Sequence, residues 1–111
     1  MKYGEVWRVD FSPQVGAEID KKRPAIIVSN NAVGALPLKV VVPVTDPTRT
    51  TQSWHVPLVP TATNGLVKPS VADCFQIKSV SNDRFIEKLG ELSEDESSSI
   101  KITLMKVLDL V

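Results

Sequence analysis

Residues 15–31, VGAEIDKKRPAIIVSNN, join a mixed-charge segment to a short apolar run. The first six of these residues hold a glycine and two acids without apolar periodicity, which predicts a loop. Pro24 then opens the run AIIV, and because proline has no N–H to donate, it suits the start of a strand or an edge strand. Since AIIV is rich in β-branched residues and ends at the polar SNN, the pattern predicts a buried strand over residues 23–29.

The junction between this loop and this strand carries three consecutive cations, Lys21, Lys22 and Arg23. One interpretation is a solvated charged loop ahead of a core strand. The other is an anion-binding site, because an arginine anchored on a rigid strand is already held, whereas one on a loose loop must be ordered on binding. The residues alone leave both interpretations open.

Apolar alternation and β-branched runs predict further strands on both sides of this stretch. The additional predicted strands are 4–11, 39–44, 54–60, 70–80 and 85–92. The expected core side chains in them are Trp7, Val9, Phe11, Val71 and Ile77. Pro43 indicates a free edge or a bulge, and the prolines of 54–60 indicate an edge strand.

The segments between these strands are predicted to be loops of different length. Residues 12–22 form a long loop, which in a small domain indicates function or disorder. Residues 31–38, with Gly34 and Pro37, form a connection that has room for one helical turn. A bend is expected near residues 74–76, and a short turn at 81–84.

A helix is predicted at the C-terminal end. Ser93 and Glu96 match the S-x-x-E capping box, and acidic residues fill the first turn, where the helix dipole favours them. Apolar residues then recur at helical spacing and predict one buried stripe, formed by Ile100, Leu104, Val107, Leu108 and Val111. Short strands followed by one helix predict a mainly β fold, a small antiparallel barrel or half-barrel with a C-terminal α-helix, in a single domain spanning residues 1–111.

Composition narrows the possible partners and compartments. The formal net charge is zero, which argues mildly against a nucleic-acid partner, but residues 20–79 hold seven Lys/Arg against three Asp/Glu and can present a positive face. Cys74 is the single cysteine, so no disulfide can form within one chain. The N-terminus lacks the apolar segment of a signal peptide, and no apolar run is long enough to span a membrane. A cytoplasmic protein without a membrane partner is therefore expected.

The side-chain chemistry available is narrow. One histidine and one cysteine exclude a two-imidazole pair within one chain and a metal cluster at ligand spacing, so no metal or cofactor is expected. Cys74 is expected to be a small buried hydrophobe, and His55 to have a structural or surface role. Arginine is a poor base but a good stabiliser of phosphate charge, so it suits a substrate with its own nucleophile. RNA is such a substrate, because its 2′-OH can attack the adjacent phosphorus.

Five segments carry a resemblance to a known family: GEVWRVDFSP at 4–13, GxE at 16–18, RPAIIVSN at 23–30, VPVT at 42–45 and QIK at 76–78. With these segments the chain resembles the MazF/PemK (Kid-like) toxins of bacterial type II toxin–antitoxin systems over nearly its whole length. The first segment followed by RP and a β-branched run is fairly specific, whereas RP alone would be weak.

The resemblance implies an SH3-like barrel, a homodimer, and a sequence-specific, metal-independent endoribonuclease that cuts single-stranded RNA and is inhibited by a cognate antitoxin protein. The implied products are a 2′,3′-cyclic phosphate and a 5′-OH. At matching positions, Arg23, Thr45 and Glu18 would be catalytic. The implied RNA contacts are Gln76, Lys22, Lys21, Asn30 and His55. The loop 12–22 would cover the RNA and would be displaced by an antitoxin.

Two positions depart from the family pattern. Asp46 stands where the family usually has serine, threonine or asparagine, and it would place a negative charge near a phosphate. Phe75 stands where many members have a polar residue; stacking on a base is one possibility, but we expect a core position. The alternative function is a non-catalytic barrel that binds a protein such as gyrase, or RNA without cleavage. The gyrase-poisoning relatives carry an aromatic at the helix end, and this helix has none, which weighs against that alternative.

Overall fold

Seven β-strands, three 3-10 turns and a C-terminal helix build the computed structural model, which describes residues 1–33 and 35–110. The strands are β1 (Glu5–Asp10), β2 (Lys22–Ile27), β3 (Leu38–Thr45), β4 (His55–Leu58), β5 (Ser70–Asp73), β6 (Lys78–Ser81) and β7 (Phe85–Glu91). The helix, α1, spans Glu94–Val107, and the 3-10 turns span Asn31–Val33, Cys74–Gln76 and Asn82–Arg84.

All strand pairs are antiparallel, and the sheet follows the order β4-β5-β3-β2-β1-β7, with β6 also paired to β3. Within the described residues β4 and β7 are its two ends and do not pair, so the sheet is open. The predicted mainly β fold with a C-terminal helix is confirmed, in its half-barrel form. β4 is an edge strand, as its prolines predicted.

The single strand predicted over 70–80 is two strands, because the 3-10 turn Cys74–Gln76 interrupts it at the expected bend. The Asp73 carboxylate caps this turn by accepting a hydrogen bond from the Phe75 N–H at 3.1 Å. β3 therefore pairs with β6 through its first half and with β5 at its end. Pro43 lies between those two paired segments, where a missing N–H costs no bond to either strand.

The sheet buries side chains on both of its faces. Val9 and Phe11 belong to one core cluster and are fully buried, as predicted, whereas Trp7 is only half-buried beside them. Val6 is fully buried in the second cluster, on the helix side, and the alternation in the sequence did not reveal it. β1 is covered on both faces because Val6 packs into the helix-side cluster and Val9 into the other. Its pairing with β7 shifts register twice.

Helix α1 closes the second cluster. Its capping box is present: the Ser93 hydroxyl accepts from the Glu96 N–H, and the Glu96 carboxylate accepts from the Ser93 N–H. Ile100 is buried and Leu104 and Val107 pack beside it, but the prediction for Leu108 is wrong, since it caps the helix end and is 48% exposed. The predictions for Val111 and Gly34 lie outside the described residues. No helix among the described residues is long and apolar enough to cross a membrane.

The segment that leads from β4 to β5 is locked against β7. Gly65 has φ +73°, and a Cβ there would lie 2.1 Å from the Leu89 carbonyl oxygen, so no larger residue fits. The fully buried Asn64 amide accepts from the Thr61 and Leu66 N–H groups and donates to Val59 and Glu96. This packing fixes the start of the segment that carries Lys68.

Candidate active site

Arg23 and Thr45 meet across the pairing of β2 and β3. Ala25 lies opposite Pro43 in that register, so Arg23 and Thr45, each two residues further out, face one another. Arg23 Nη1 donates to Thr45 Oγ1 at 2.9 Å, and Arg23 Nε donates to the Asp20 carbonyl oxygen at 2.7 Å. Both side chains are half-buried. The guanidinium is therefore held in one orientation, with its remaining N–H groups available to an anion.

These two residues lie in a cavity of about 310 Å³ that is rich in cations. Arg8, Lys22 and Lys68 also line it, with Asp46 as its carboxylate. Lys68 Nζ lies 2.6 Å from Asp46 Oδ1. This hydrogen-bonded ammonium, with smaller contributions from Arg23 and Lys21, lowers the pKa of Asp46 below its usual range. The negative charge that departs from the family pattern thus has its own counter-ion.

A larger cavity, of about 520 Å³, lies between the N-terminal segment and α1. Three carboxylates line it, those of Glu5, Glu91 and Glu94, against two lysines, Lys2 and Lys101. A phosphate would meet repulsion there. Volume alone would select this cavity, but its charge selects the smaller one as the candidate site.

The loop before β2 is held near both of its ends by hydrogen bonds with side chains from later in the chain. Gln76 accepts a hydrogen bond from the Ile19 N–H at 3.2 Å and donates to the Ala17 carbonyl oxygen at 3.1 Å. At the loop's other end, the Arg84 guanidinium donates to the Asp10 and Ser12 carbonyl oxygens. Gln76 in this conformation therefore holds the loop rather than pointing free towards a ligand.

Glu18 and Lys21 are carried by this same loop. The Glu18 carboxylate accepts from the Val15 N–H at 3.0 Å and is exposed. Lys21 has φ 71°, in the left-handed region that disfavours a residue with a Cβ, and its N–H is bound by the Asp20 carboxylate at 2.6 Å. A strained, charged residue two positions before Arg23 is typical of a functional loop.

Of the predicted site residues, only Arg23, Thr45 and Lys22 line the cavity; Glu18, Lys21, Gln76, Asn30 and His55 do not. Asn30 lies beyond the far end of β2, seven residues from Arg23 and roughly 20 Å away at strand geometry. Its side chain accepts from the Ala32 N–H and caps the first 3-10 turn. The His55 side chain is only 7% exposed, its Nδ1 accepts from the Gln52 N–H, and its Nε2 lies 3.9 Å from Asp73. The RNA-binding roles of both residues stay predictions.

The expected core position of Phe75 is wrong, because its side chain is 67% exposed. Cys74 occupies the core position of this turn instead; it is fully buried, as predicted, and burial, with a smaller contribution from Asp73, raises the pKa of its thiol to about 12. Phe75 projects outward and meets Trp54 edge-to-face, with ring centroids 5.7 Å apart. A three-residue 3-10 turn buries only one of its side chains here, and the sequence did not show which.

Sequence reasoning also missed two lining residues, Arg8 and Lys68. The only signal was the basic excess of residues 20–79, which counts Lys68 without saying which cations converge. Arg8 is bound by Glu87 at 3.0 Å, and it reaches the cavity only because β1 and β2 are neighbours. Convergence of cations from β1, β2 and the segment before β5 is a property of the sheet order.

Known proteins are similar to this chain in sequence and in fold. The family model described as PemK-like, MazF-like toxin of type II toxin–antitoxin systems matches residues 2–108. Endoribonuclease MazF9 of Mycobacterium tuberculosis is 33% identical over 99% of this chain and 98% of its own length. The crystal structure of MazF from Deinococcus radiodurans superposes with a TM-score of 0.82 at 25% identity, over 98% of this chain and 96% of that one. A mycobacterial endoribonuclease solved with its cognate antitoxin has a TM-score of 0.80 at 26% identity, over 100% and 97% of the two chains.

Proposed function

The chain belongs to the PemK-like, MazF-like toxins of type II toxin–antitoxin systems, and we propose that it is an endoribonuclease that cleaves single-stranded RNA at the Arg23–Thr45 pair. The observation that carries this proposal is the 2.9 Å bond between the two side chains inside the cation-rich cavity. Endoribonucleases among the relatives, and the location of two of the three predicted catalytic residues in one cavity, favour cleavage over the alternative of a non-catalytic barrel.

The proposed reaction is a transesterification that needs no metal. The RNA 2′-oxygen attacks the adjacent phosphorus and gives its proton to a carboxylate, the bond from phosphorus to the 5′-oxygen breaks, and that oxygen takes up a proton from water and leaves as a 5′-OH. A 2′,3′-cyclic phosphate remains. The protein must align the phosphodiester and stabilise the negative charge that builds on the non-bridging oxygens.

Arg23 is suited to that charge. The Asp20 carbonyl and Thr45 fix its guanidinium through Nε and Nη1, and the remaining N–H groups are left to donate to phosphate oxygens. The Thr45 hydroxyl also has a hydrogen to donate, to the phosphate or to the 2′-oxygen. Lys22 and Lys68 raise the positive potential of the cavity and help to hold the polyanion.

Glu18 is the proposed carboxylate of the reaction, and Gln76 the proposed contact to a base. Glu18 would accept the 2′-OH proton after turning from the Val15 N–H, a change confined to an exposed loop. Gln76 would exchange its bonds to loop residues 17 and 19 for a base edge. Both steps require the loop to move when RNA binds. Lys21, in its left-handed conformation at the end of the loop, would then contact the RNA backbone.

An antitoxin protein is the proposed inhibitor, since related MazF structures hold one. A homodimer is the proposed assembly. The homodimer is supported by a group of exposed apolar side chains near Asn30, namely Val33, Leu36 and Leu38. The half-buried Leu104 of α1 lies near the same asparagine. Because apolar patches of this kind mark protein interfaces, Leu38→Glu should convert a dimer to a monomer in light scattering.

The test of the activity is cleavage of a long single-stranded RNA in EDTA, followed by mapping of the new 5′ ends. We expect discrete cuts that carry 5′-OH ends, made by the wild-type protein and by the control variant Lys106→Ala, whose side chain is exposed on α1. Over the time in which the wild-type protein cuts the RNA completely, the Arg23→Ala variant should leave it intact, and it should keep its fold by circular dichroism. Intact RNA at high excess of wild-type protein would support the non-catalytic alternative instead.

A further inference from the structure

An exposed phenylalanine packs on the half-buried Trp54, directly before the Gln76 that binds the loop leading to Arg23, and neither ring belongs to a core cluster. Phe75 is 67% exposed, and its ring packs edge-to-face on Trp54, with centroids 5.7 Å apart. Burying a phenylalanine side chain normally stabilises a fold by about 1.5–3 kcal/mol, so leaving one in water forgoes that stabilisation. We infer that Phe75, supported by Trp54, is a stacking platform for an RNA base that flanks the cleaved phosphodiester.

The platform is rigid. The Cys74 N–H donates to the Trp54 carbonyl oxygen at 3.1 Å, which ties the turn to the start of β4. His55, next to Trp54, lies opposite Asp73, and the Asp73 carboxylate caps the turn through the Phe75 N–H. Because the backbone of the turn is already held, stacking a base on Phe75 orders little beyond its ring, and such contacts accept every base with a modest preference set by stacking strength.

The platform is also continuous with the Arg23–Thr45 cavity. Only β3 separates β5 from β2, and the β5 residue opposite Thr45 is Val71. Asp73 is two residues further along β5, which places it roughly 12 Å from Arg23 at sheet geometry. The chain leaves the cavity at Thr45 and reaches the platform at Trp54 through residues 46–53, which hold Arg49 and four hydroxyl side chains. On the other side, Gln76 follows Phe75 directly and binds the loop that bonds to Arg23.

This continuity selects RNA as the occupant. A strand whose phosphate lies at Arg23 meets cations and hydroxyls along the way and reaches an aromatic face at Phe75, the combination used for single-stranded nucleic acid. The inference rests on the proposed function for the position of the RNA. It goes beyond it by assigning base contact to a residue that departs from the family pattern.

Stacking is tested with an oligoribonucleotide of twelve nucleotides, eleven weakly stacking uridines and a single 2-aminopurine, whose fluorescence falls when the base stacks. The probe is bound to the Arg23→Ala variant so that it stays intact, and the 2-aminopurine is moved along the chain. We expect quenching at a restricted set of positions. Adding Phe75→Ala should remove the quenching and weaken binding by about tenfold, a typical effect of losing one base–aromatic stack. Phe75→Trp should restore both, and Phe75→Leu should not.

The matched control is Ile86→Ala, which removes an apolar side chain of similar exposure, 48%, from β7 at the other end of the sheet. It should bind the probe like the parent. When Phe75→Ala is made in the protein that keeps Arg23, RNA should still be cleaved, but the base preferred beside the cut should change.

Three results would overturn the platform. Unchanged quenching and unchanged cut sites in Phe75→Ala would show that no base stacks there. A lowered melting temperature with unchanged quenching would leave only a structural role. A switch from dimer to monomer would make this face an interface between copies. Phe75-dependent quenching without any cleavage by the wild-type protein would instead retain the platform and remove the proposed function.

Discussion

The two ends of β2 were both expected to contact RNA, but they have different surroundings. At the first end, Arg23 is oriented by Thr45 and by the Asp20 carbonyl in a cavity with several cations. At the other end, Asn30 caps a 3-10 turn beside exposed apolar side chains and the helix. The comparison teaches that residues in one continuous sequence motif can serve separate surfaces, because a strand carries its two ends apart.

The largest expected effect separates these two ends by kinetics. Arg23→Ala should lower kcat by about 10²–10³-fold, because it removes oriented donors from the charge that builds on the phosphate. Asn30→Ala should leave kcat unchanged and raise KM by about threefold at most, as a peripheral RNA contact would. Steady-state cleavage of a short RNA bearing one mapped site measures both. A larger kcat loss in Asn30→Ala than in Arg23→Ala would reverse the assignment of the two ends.

Thr45→Val tests whether Arg23 needs its hydroxyl partner. Valine keeps the shape and removes only the oxygen that accepts from Arg23 Nη1. A hydrogen bond to a charged group contributes about 1.5–3 kcal/mol, so cleavage should fall roughly ten- to a hundredfold. Thr103→Val, which removes a half-buried hydroxyl from α1, is the matched control and should cleave normally. Equal rates for both variants would mean that Thr45 does not orient Arg23.

Glu5, in β1 beside the end of β2 that leads to Asn30, tests whether that end of the sheet stabilises the fold. Burial by itself would raise the pKa of this carboxyl, but hydrogen bonds from Trp7 Nε1, the Lys2 N–H and Lys88 outweigh burial and lower the pKa to about 2. A depressed folded-state pKa contributes stability that is present above the unfolded value, 4.5, and is lost as the pH falls towards 2. Glu5→Gln should therefore lose about 2–3 kcal/mol at pH 7 and show a flatter decline between pH 5 and 2.

Urea unfolding across that pH range measures the effect. Glu87→Gln is the matched control, since its carboxylate is exposed and bound only to Arg8. That variant should stay within about 0.5 kcal/mol of the parent. If the unfolding free energy of Glu5→Gln falls as steeply between pH 5 and 2 as that of the parent, a group other than Glu5 causes the acid destabilisation.

The smallest expected effect concerns the pair Asp46 and Lys68 at the cavity. Both side chains are largely exposed, so their ion pair is worth little, and each change should alter RNA binding by about two- to fivefold. Asp46→Asn should strengthen binding and Lys68→Met should weaken it. The double variant distinguishes two roles: it matches the wild type if Lys68 only neutralises Asp46, and it stays weak if Lys68 itself contacts phosphate.

Much of the fold followed from local patterns. The β-branched runs, the prolines of the edge strand β4 and the capping box of α1 predicted these elements, since each depends on neighbours a few residues apart. The burial of Val6 and the division of residues 70–80 into two strands were not predicted. The first depends on how α1 packs on β1, and the second depends on the change of partner along β3. The site was partly predictable: a strand anchored Arg23, but Lys68 and Arg8 came from distant segments.

The sequence by itself determined the family, the mainly β class, the capped helix and the rigid start of β2. Tertiary structure alone decided that Asp46 has a counter-ion, that Gln76 holds the loop and that Phe75 faces water. The physical reason is the range of the interactions. Local patterns are written in hydrogen bonds and periodicities between close neighbours, whereas charge pairing and exposure depend on which strands the antiparallel order brings together.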